Sequence, residues 1–174
     1  MQGRNEELDI YYFQVTDLWK RLCEEHNELF SLTCEEYAHL LSSDIDALNQ
    51  VTEYKNEVII RINVLEKVRR EIIREINTLL PQGNSIHSAG DLIRLMRTVE
   101  ERTGERHLYR FNQFLIDIIE RLQEQNKKNQ MFLNKAMNNL REIREGLMGK
   151  KSYATYTASG KTISKSVQVD RSHP

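Results

Sequence analysis

Between Arg4 and Leu80 the sequence contains neither glycine nor proline, and the same holds from Glu105 to Glu145. Either residue costs a helix interior about 1 to 3 kcal/mol, so exclusion over such lengths implies long helices rather than sheet. Cysteine is equally scarce. Cys23 and Cys34 are the only two, too few for a disulfide framework, and a reduced, intracellular setting is expected. No apolar run approaches the ~20 residues that a membrane-spanning helix needs. The opening MQGRNEELDI also lacks the apolar stretch of a secretory signal. A soluble, cytoplasmic chain is the expectation.

One further absence disposes of a tempting motif. The segment TYTASGKT, Thr155 to Thr162, ends in the letters of a nucleotide-binding P-loop, but Thr155 stands where the opening glycine is required. The motif also needs a strand before it and a helix after it, whose N-terminus meets the phosphate. Here the upstream residues read as helix and the chain ends shortly after Thr162.

Charge is present in quantity and unevenly placed. Charged residues make up 29% of the chain and the net charge is −1. Residues 149–174 carry Lys150, Lys151, Lys161, Lys165 and Arg171 against Asp170, a balance of +4 that leaves −5 on the rest. A basic, Ser/Thr-rich end on an acidic body reads as a flexible interaction tail.

The long stretches divide into four helices. Ser43 and Asp46 read as a capping box, which places a turn at 41–44 between a first helix from about Glu7 and a second ending at Leu80. A rival cap, Thr33 to Glu36, would kink the first helix. Pro81 and Gly83 stop the second. Ser88 and Asp91 open a short third helix carrying Leu92, Leu95, Met96 and Val99, and Thr103-Gly104 breaks it. A fourth runs from about Glu105 to Leu147.

In the second helix, steps of three and four from Leu48 reach Val51, Lys55, Val58, Ile62, Leu65, Arg69, Ile72, Ile76 and Leu79, with Ile59, Val68 and Ile73 beside them. The first offers Leu8, Val15, Leu22 and Leu29 every seven residues, with Tyr11 or Tyr12, Leu18 and Trp19 between. Repeats of 3.5 residues face one another in knobs-into-holes packing. Lys55 and Arg69 interrupt the seam, and long stems reaching to its edge are the favoured account over register-fixing contacts.

The fourth helix has two apolar patches. Leu108, Phe111, Phe114, Leu115, Ile118, Ile119 and Leu122 would close the bundle; QEQNKKNQ, residues 123–130, then has no apolar residue. The second patch holds Phe132, Leu133, Met137, Leu140, Ile143 and Leu147; on periodicity alone ordinary core is the favoured account of such a face, and the alternative is a surface suited to a helical partner. The fold expected is all-α: an elongated antiparallel helical bundle or coiled-coil hairpin over 1–147, with helices at about 7–41, 44–80, 89–101 and 105–147, followed by a flexible basic tail over 148–174.

No catalytic constellation emerges. Glu36 and His39 supply one Glu-x-x-His pair of a di-iron bundle but no second exists, and Cys23-x-x-His26 lacks two further ligands for zinc. Mixed-sign segments such as EKVRREIIRE lack the single-sign stripe of a nucleic-acid binder. A protein without cofactor, metal or enzymatic activity is expected.

Three segments carry a family resemblance. Leu40–Glu71, LLSSDIDALNQVTEYKNEVIIRINVLEKVRRE, with Ser43, Asp44, Ala47, Leu48, Lys55, Leu65 and Arg69 at its marked positions, resembles the FlgN family of flagellar export chaperones. Asn126 and Asn129 ahead of Phe132-Leu133 resemble that family's entry to its C-terminal helix, and Tyr156 to Lys161 its short Tyr-x-x-x-Gly tail. The resemblance implies a cytoplasmic type III export chaperone. Its partners would be the helical termini of hook–filament junction proteins, kept from premature assembly and delivered to the membrane export gate, with no stable membrane insertion and no nucleic acid. Partner contact falls to Phe132, Leu133, Met137, Leu140, Ile143 and Leu147; Tyr153, Tyr156 and Gly160 are candidates for partner or gate contact. The alternative is a structural coiled-coil scaffold that forms a homo-oligomer through the fourth helix.

Overall fold

The computed structural model describes residues 2–81, 83–148, 153–156 and 162–165. Its architecture is all-α, with four helices: α1 (Gln2–Ser42), α2 (Ile45–Leu79), α3 (Ala89–Thr103) and α4 (His107–Met148). Two short strands follow, β1 (Tyr153–Tyr156) and β2 (Thr162–Lys165). The chain divides into two compact units, Met1–Gln130 and Met131–Pro174.

In the first unit α1 and α2 form an antiparallel hairpin, as the cross-pairs Tyr11–Glu75, Arg61–Glu25 and Lys55–Glu36 require. The turn between them departs from the expected capping box. Ser43 adopts the left-handed region at φ 57° and so ends α1. The Asp44 N–H donates to His39 O at 3.1 Å and the Ser43 N–H to Leu40 O, the two bonds of a Schellman stop. Asp44, rather than Ser43, is then the N-cap of α2, its carboxylate accepting from the Ala47 N–H at 3.1 Å. A carboxylate one residue closer to the helix takes the cap because Ser43 is already committed to the stop. No break occurs at Thr33: α1 is one helix, and the buried Thr33 hydroxyl donates to Leu29 O one turn back at 2.7 Å.

Leu80 turns extended ahead of Pro81, which ends α2. Asn77 then fixes the connection to α3 by donating to Ile86 O and accepting from the Ile86 N–H, both at 2.8 Å, which seats Ile86 in the core. The capping box of α3 is present as expected, with Ser88 and Asp91 bonding reciprocally. Gly104, at φ 78°, closes the helix with its N–H on Glu100 O. Hydrogen bonds to Ser88 and to the His87 and Ser88 N–H groups hold the Asp91 carboxyl below its ordinary pKa.

The core follows the seams. Val15, Leu18, Trp19, Leu22, Leu65, Ile72, Ile76, Leu92, Met96, Val99, Leu108 and Leu115 are buried together, and Leu29, Val58 and Leu122 form a second cluster. Each such side chain contributes about 1.5 to 3 kcal/mol. Ile59 and Val68, read as widening the α2 seam, are instead exposed, and so is Phe114 of α4. Within this unit α4 runs alongside α1 in the same direction. Trp19 Nε1 donates to Asn112 Oδ1 at 3.1 Å, and Asn129 Nδ2 to Thr33 O at 2.9 Å.

In the second unit, α4 continues to Met148 and β1 pairs antiparallel with β2, Tyr153 opposite Lys165 and Tyr156 opposite Thr162. The tail expected from the sequence thus contains one short two-stranded ladder. Tyr and Thr favour extended backbone.

Candidate functional site

Residues Met131–Met148 of α4 present the largest concentration of exposed apolar side chains among the described residues. Met131, Leu133, Met137, Leu140, Ile143, Leu147 and Met148 are all exposed, Leu133 least at 37% and Leu147 most at 83%. Phe132 and Ala136 are half-buried. With 100° per residue, positions 133, 136, 137, 140, 143 and 147 share one face of the helix, and Met131 lies on the opposite one. That face spans about 21 Å at 1.5 Å per residue. Its register is the one that buries Leu108, Leu115 and Leu122 earlier in α4. Large apolar side chains in a seam register, left in water, are the mark of an interaction surface.

All six residues singled out from the sequence for partner contact therefore lie on this stretch; five are exposed, and Phe132 is half-buried. Tyr153 and Tyr156 begin and end β1. Gly160 lies outside the described residues.

What sequence reading undervalued is polar and internal. Lys55 does not merely reach to the seam's edge. Its ammonium lies 2.8 Å from Glu36 Oε2 of α1, with the two side chains only 15% and 19% exposed. Asn129, in the stretch without apolar residues, is buried; its amide donates to the same Glu36 oxygen at 2.6 Å and to Thr33 O, while Gln125 donates to its carbonyl at 3.0 Å. Three helices thus meet in one satisfied polar layer. The signal was present, because Glu36 falls seven after Leu29, Lys55 seven after Leu48 and Asn129 seven after Leu122. Arg69 does behave as a snorkelling residue, pairing with Glu66 on its own helix at 2.8 Å.

A second buried polar centre sits where α3 hands over to α4. The Glu100 carboxylate accepts from Tyr12 Oη at 3.0 Å and from the Leu108 and Tyr109 N–H groups at 2.9 and 3.2 Å. Those two amides belong to the first turn of α4 and have no intrahelical acceptor, so Glu100 caps that helix from a distance in sequence. Burial, together with the bond to Glu100 and its charge, pushes the Tyr12 hydroxyl up to about 12.

The residues weighed for metal binding are occupied otherwise. The Cys23 thiol contacts Phe111 O at 3.3 Å, His26 Nδ1 lies 2.7 Å from Leu22 O, and Glu36 belongs to the polar layer. Among the described residues no three His, Cys, Asp or Glu side chains are grouped as metal ligands, and no helix is long and apolar enough to cross a membrane.

The family model described as FlgN protein matches residues 11–163, from the first turns of α1 into β2. The chain belongs to the FlgN family. No curated protein and no solved structure matches it. Membership assigns a flagellar export chaperone role, with export substrates as the bound class. The matched span includes α3 and Tyr156-Thr-Ala-Ser-Gly160-Lys161.

Proposed function

We propose that this chaperone binds the helical termini of hook–filament junction proteins along the exposed α4 face of Leu133, Met137, Leu140, Ile143 and Leu147, with the half-buried Phe132 beside it. It would hold them in the cytoplasm until delivery to the export gate. The supporting observation is that a seam-register apolar face is left in water on a helix whose earlier part is buried in the same register. Such termini are themselves amphipathic and prone to assemble, and covering their apolar face delays assembly until handover. Tyr153, Tyr156 and Gly160 are proposed to contact the partner or the gate. Binding and release, rather than a chemical step, constitute the activity.

Calorimetric titration with hook–filament junction proteins tests this, using the full chain and a version ending at Gln130. The buried clusters draw on no residue beyond Leu122, so the shortened chain retains its core. Binding is expected from the full chain and not from the shortened one. Leu140→Asp should abolish binding while leaving the melting temperature within a degree or two, since Leu140 is 66% exposed. A fall of many degrees would make Leu140 core. Absence of binding by the full chain, alongside a stable homo-oligomer, would favour a scaffold.

A further inference from the structure

One cation stands inside the apolar face of α4. Arg144 falls about 40° from Leu140 and about 20° from Met137 around the helix, with Leu147 three residues on. A charge in such a position must be answered when the face is covered, because burying it unpaired costs several kcal/mol.

The rest of the chain shows how its seam cations are answered. Lys55 is met by Glu36 of a neighbouring helix at 2.8 Å. Arg61 is met by Glu25 and Glu28 across the same hairpin at 2.8 and 2.7 Å. Arg69 is met by Glu66, three residues back on its own helix. Arg144 has none of these. Its positions three and four away, Leu140, Arg141, Leu147 and Met148, hold no carboxylate. Glu142 and Glu145, two before and one after it, point to other sides of the helix. Arg144 makes no ion pair among the described residues, and it is exposed.

We infer that the α4 face takes an amphipathic helix carrying a carboxylate within its own apolar seam, placed to pair with Arg144 and so fix the partner's register. The inference rests on the reading that this face docks a partner helix, and it names that helix's chemistry. The guanidinium binds a carboxylate through two parallel hydrogen bonds, which gives orientation as well as attraction. A partner helix with an uncharged seam would bury Arg144 unanswered, and one with a seam lysine would add repulsion. A second copy of this chain aligned in parallel would set two Arg144 side chains against each other.

Synthetic helical peptides of about 20 residues test this, identical in their leucine seam and differing at one seam position as Glu, Gln or Lys. Each is titrated calorimetrically against the full chain. The Glu peptide is expected to bind about tenfold tighter than the Gln peptide, with Lys weaker again and the spread shrinking in about 1 M salt. Arg144→Glu should invert that order while the melting temperature of the free protein stays unchanged. An order unaffected by Arg144→Glu, or no binding by any peptide, would overturn the inference. So would a lowered melting temperature of the free Arg144→Glu variant, since the guanidinium would then already be paired within the protein. Should junction proteins fail to bind while the peptide order holds and inverts, the partner assignment falls and the seam pairing stands.

Discussion

Lys55→Met isolates the polar layer, because methionine keeps most of the stem and removes the ammonium. Glu36 would then retain the Asn129 amide at 2.6 Å but lose its counter-charge at 2.8 Å, in a site where its side chain is 19% exposed. A charge-assisted hydrogen bond of this kind is worth about 1.5 to 3 kcal/mol, and the residual access to water places the expected loss near 2 kcal/mol. For a chain of this length that lowers the melting temperature by roughly 4 to 8 °C. Glu36→Met should cost a similar amount, leaving the ammonium and one Asn129 N–H unanswered. The double substitution removes both charges, strands only that N–H, and should cost about 1 kcal/mol, less than either single change. A coupling of about 2 to 3 kcal/mol follows, readable from urea denaturation followed by far-ultraviolet circular dichroism. If Lys55→Met alone shifts stability by less than about 0.5 kcal/mol, the pair is an ordinary surface bridge and the layer does not fix register.

Three further outcomes follow from single sites. Glu100→Ala leaves the Tyr12 hydroxyl and two first-turn amides of α4 without an acceptor and should cost about 3 kcal/mol; Glu100→Gln, which keeps an acceptor oxygen, should cost less. Tyr12 has a folded pKa raised to about 12 from 10.0, chiefly by burial, so its contribution is full below pH 10 and is lost as pH rises towards 12; Tyr12→Phe should flatten that alkaline arm of the stability profile. Ser43→Gly relieves a left-handed serine at φ 57° and should stabilise by about 1 kcal/mol, measured by the same denaturation.

The helices were legible because their information is local and repeated. Gly104 and the Ser88–Asp91 box mark boundaries with side chains that act within four residues, and the seams of α1 and α2 recur often enough to outweigh exceptions such as Ile59 and Val68. The α1–α2 turn was misread by one residue because Ser43 and Asp44 are both good caps. The choice depended on which residue adopted positive φ, which residue type alone does not dictate. Glu100 was invisible for another reason. Its acceptors' partners are Tyr12, far away in sequence, and backbone amides that any residue would supply. The candidate site was legible as a patch, since its apolar residues keep the helical period, but its exposure is a property of the fold.

The polar layer and the exposed face are two answers to one physical problem. A three-helix seam that remained apolar through Glu36, Lys55 and Asn129 would allow α4 to slide by a heptad, because Leu108, Leu115 and Leu122, seven residues apart, are near-equivalent knobs. Asn129 forbids the slip, as moving it by seven residues would bury an amide without Glu36 and Thr33 O to receive it. The register of Met1–Gln130 is thus determined without help from the apolar residues that follow. Leu133, Met137, Leu140, Ile143 and Leu147 are exposed, and substitutions among them should separate binding from folding.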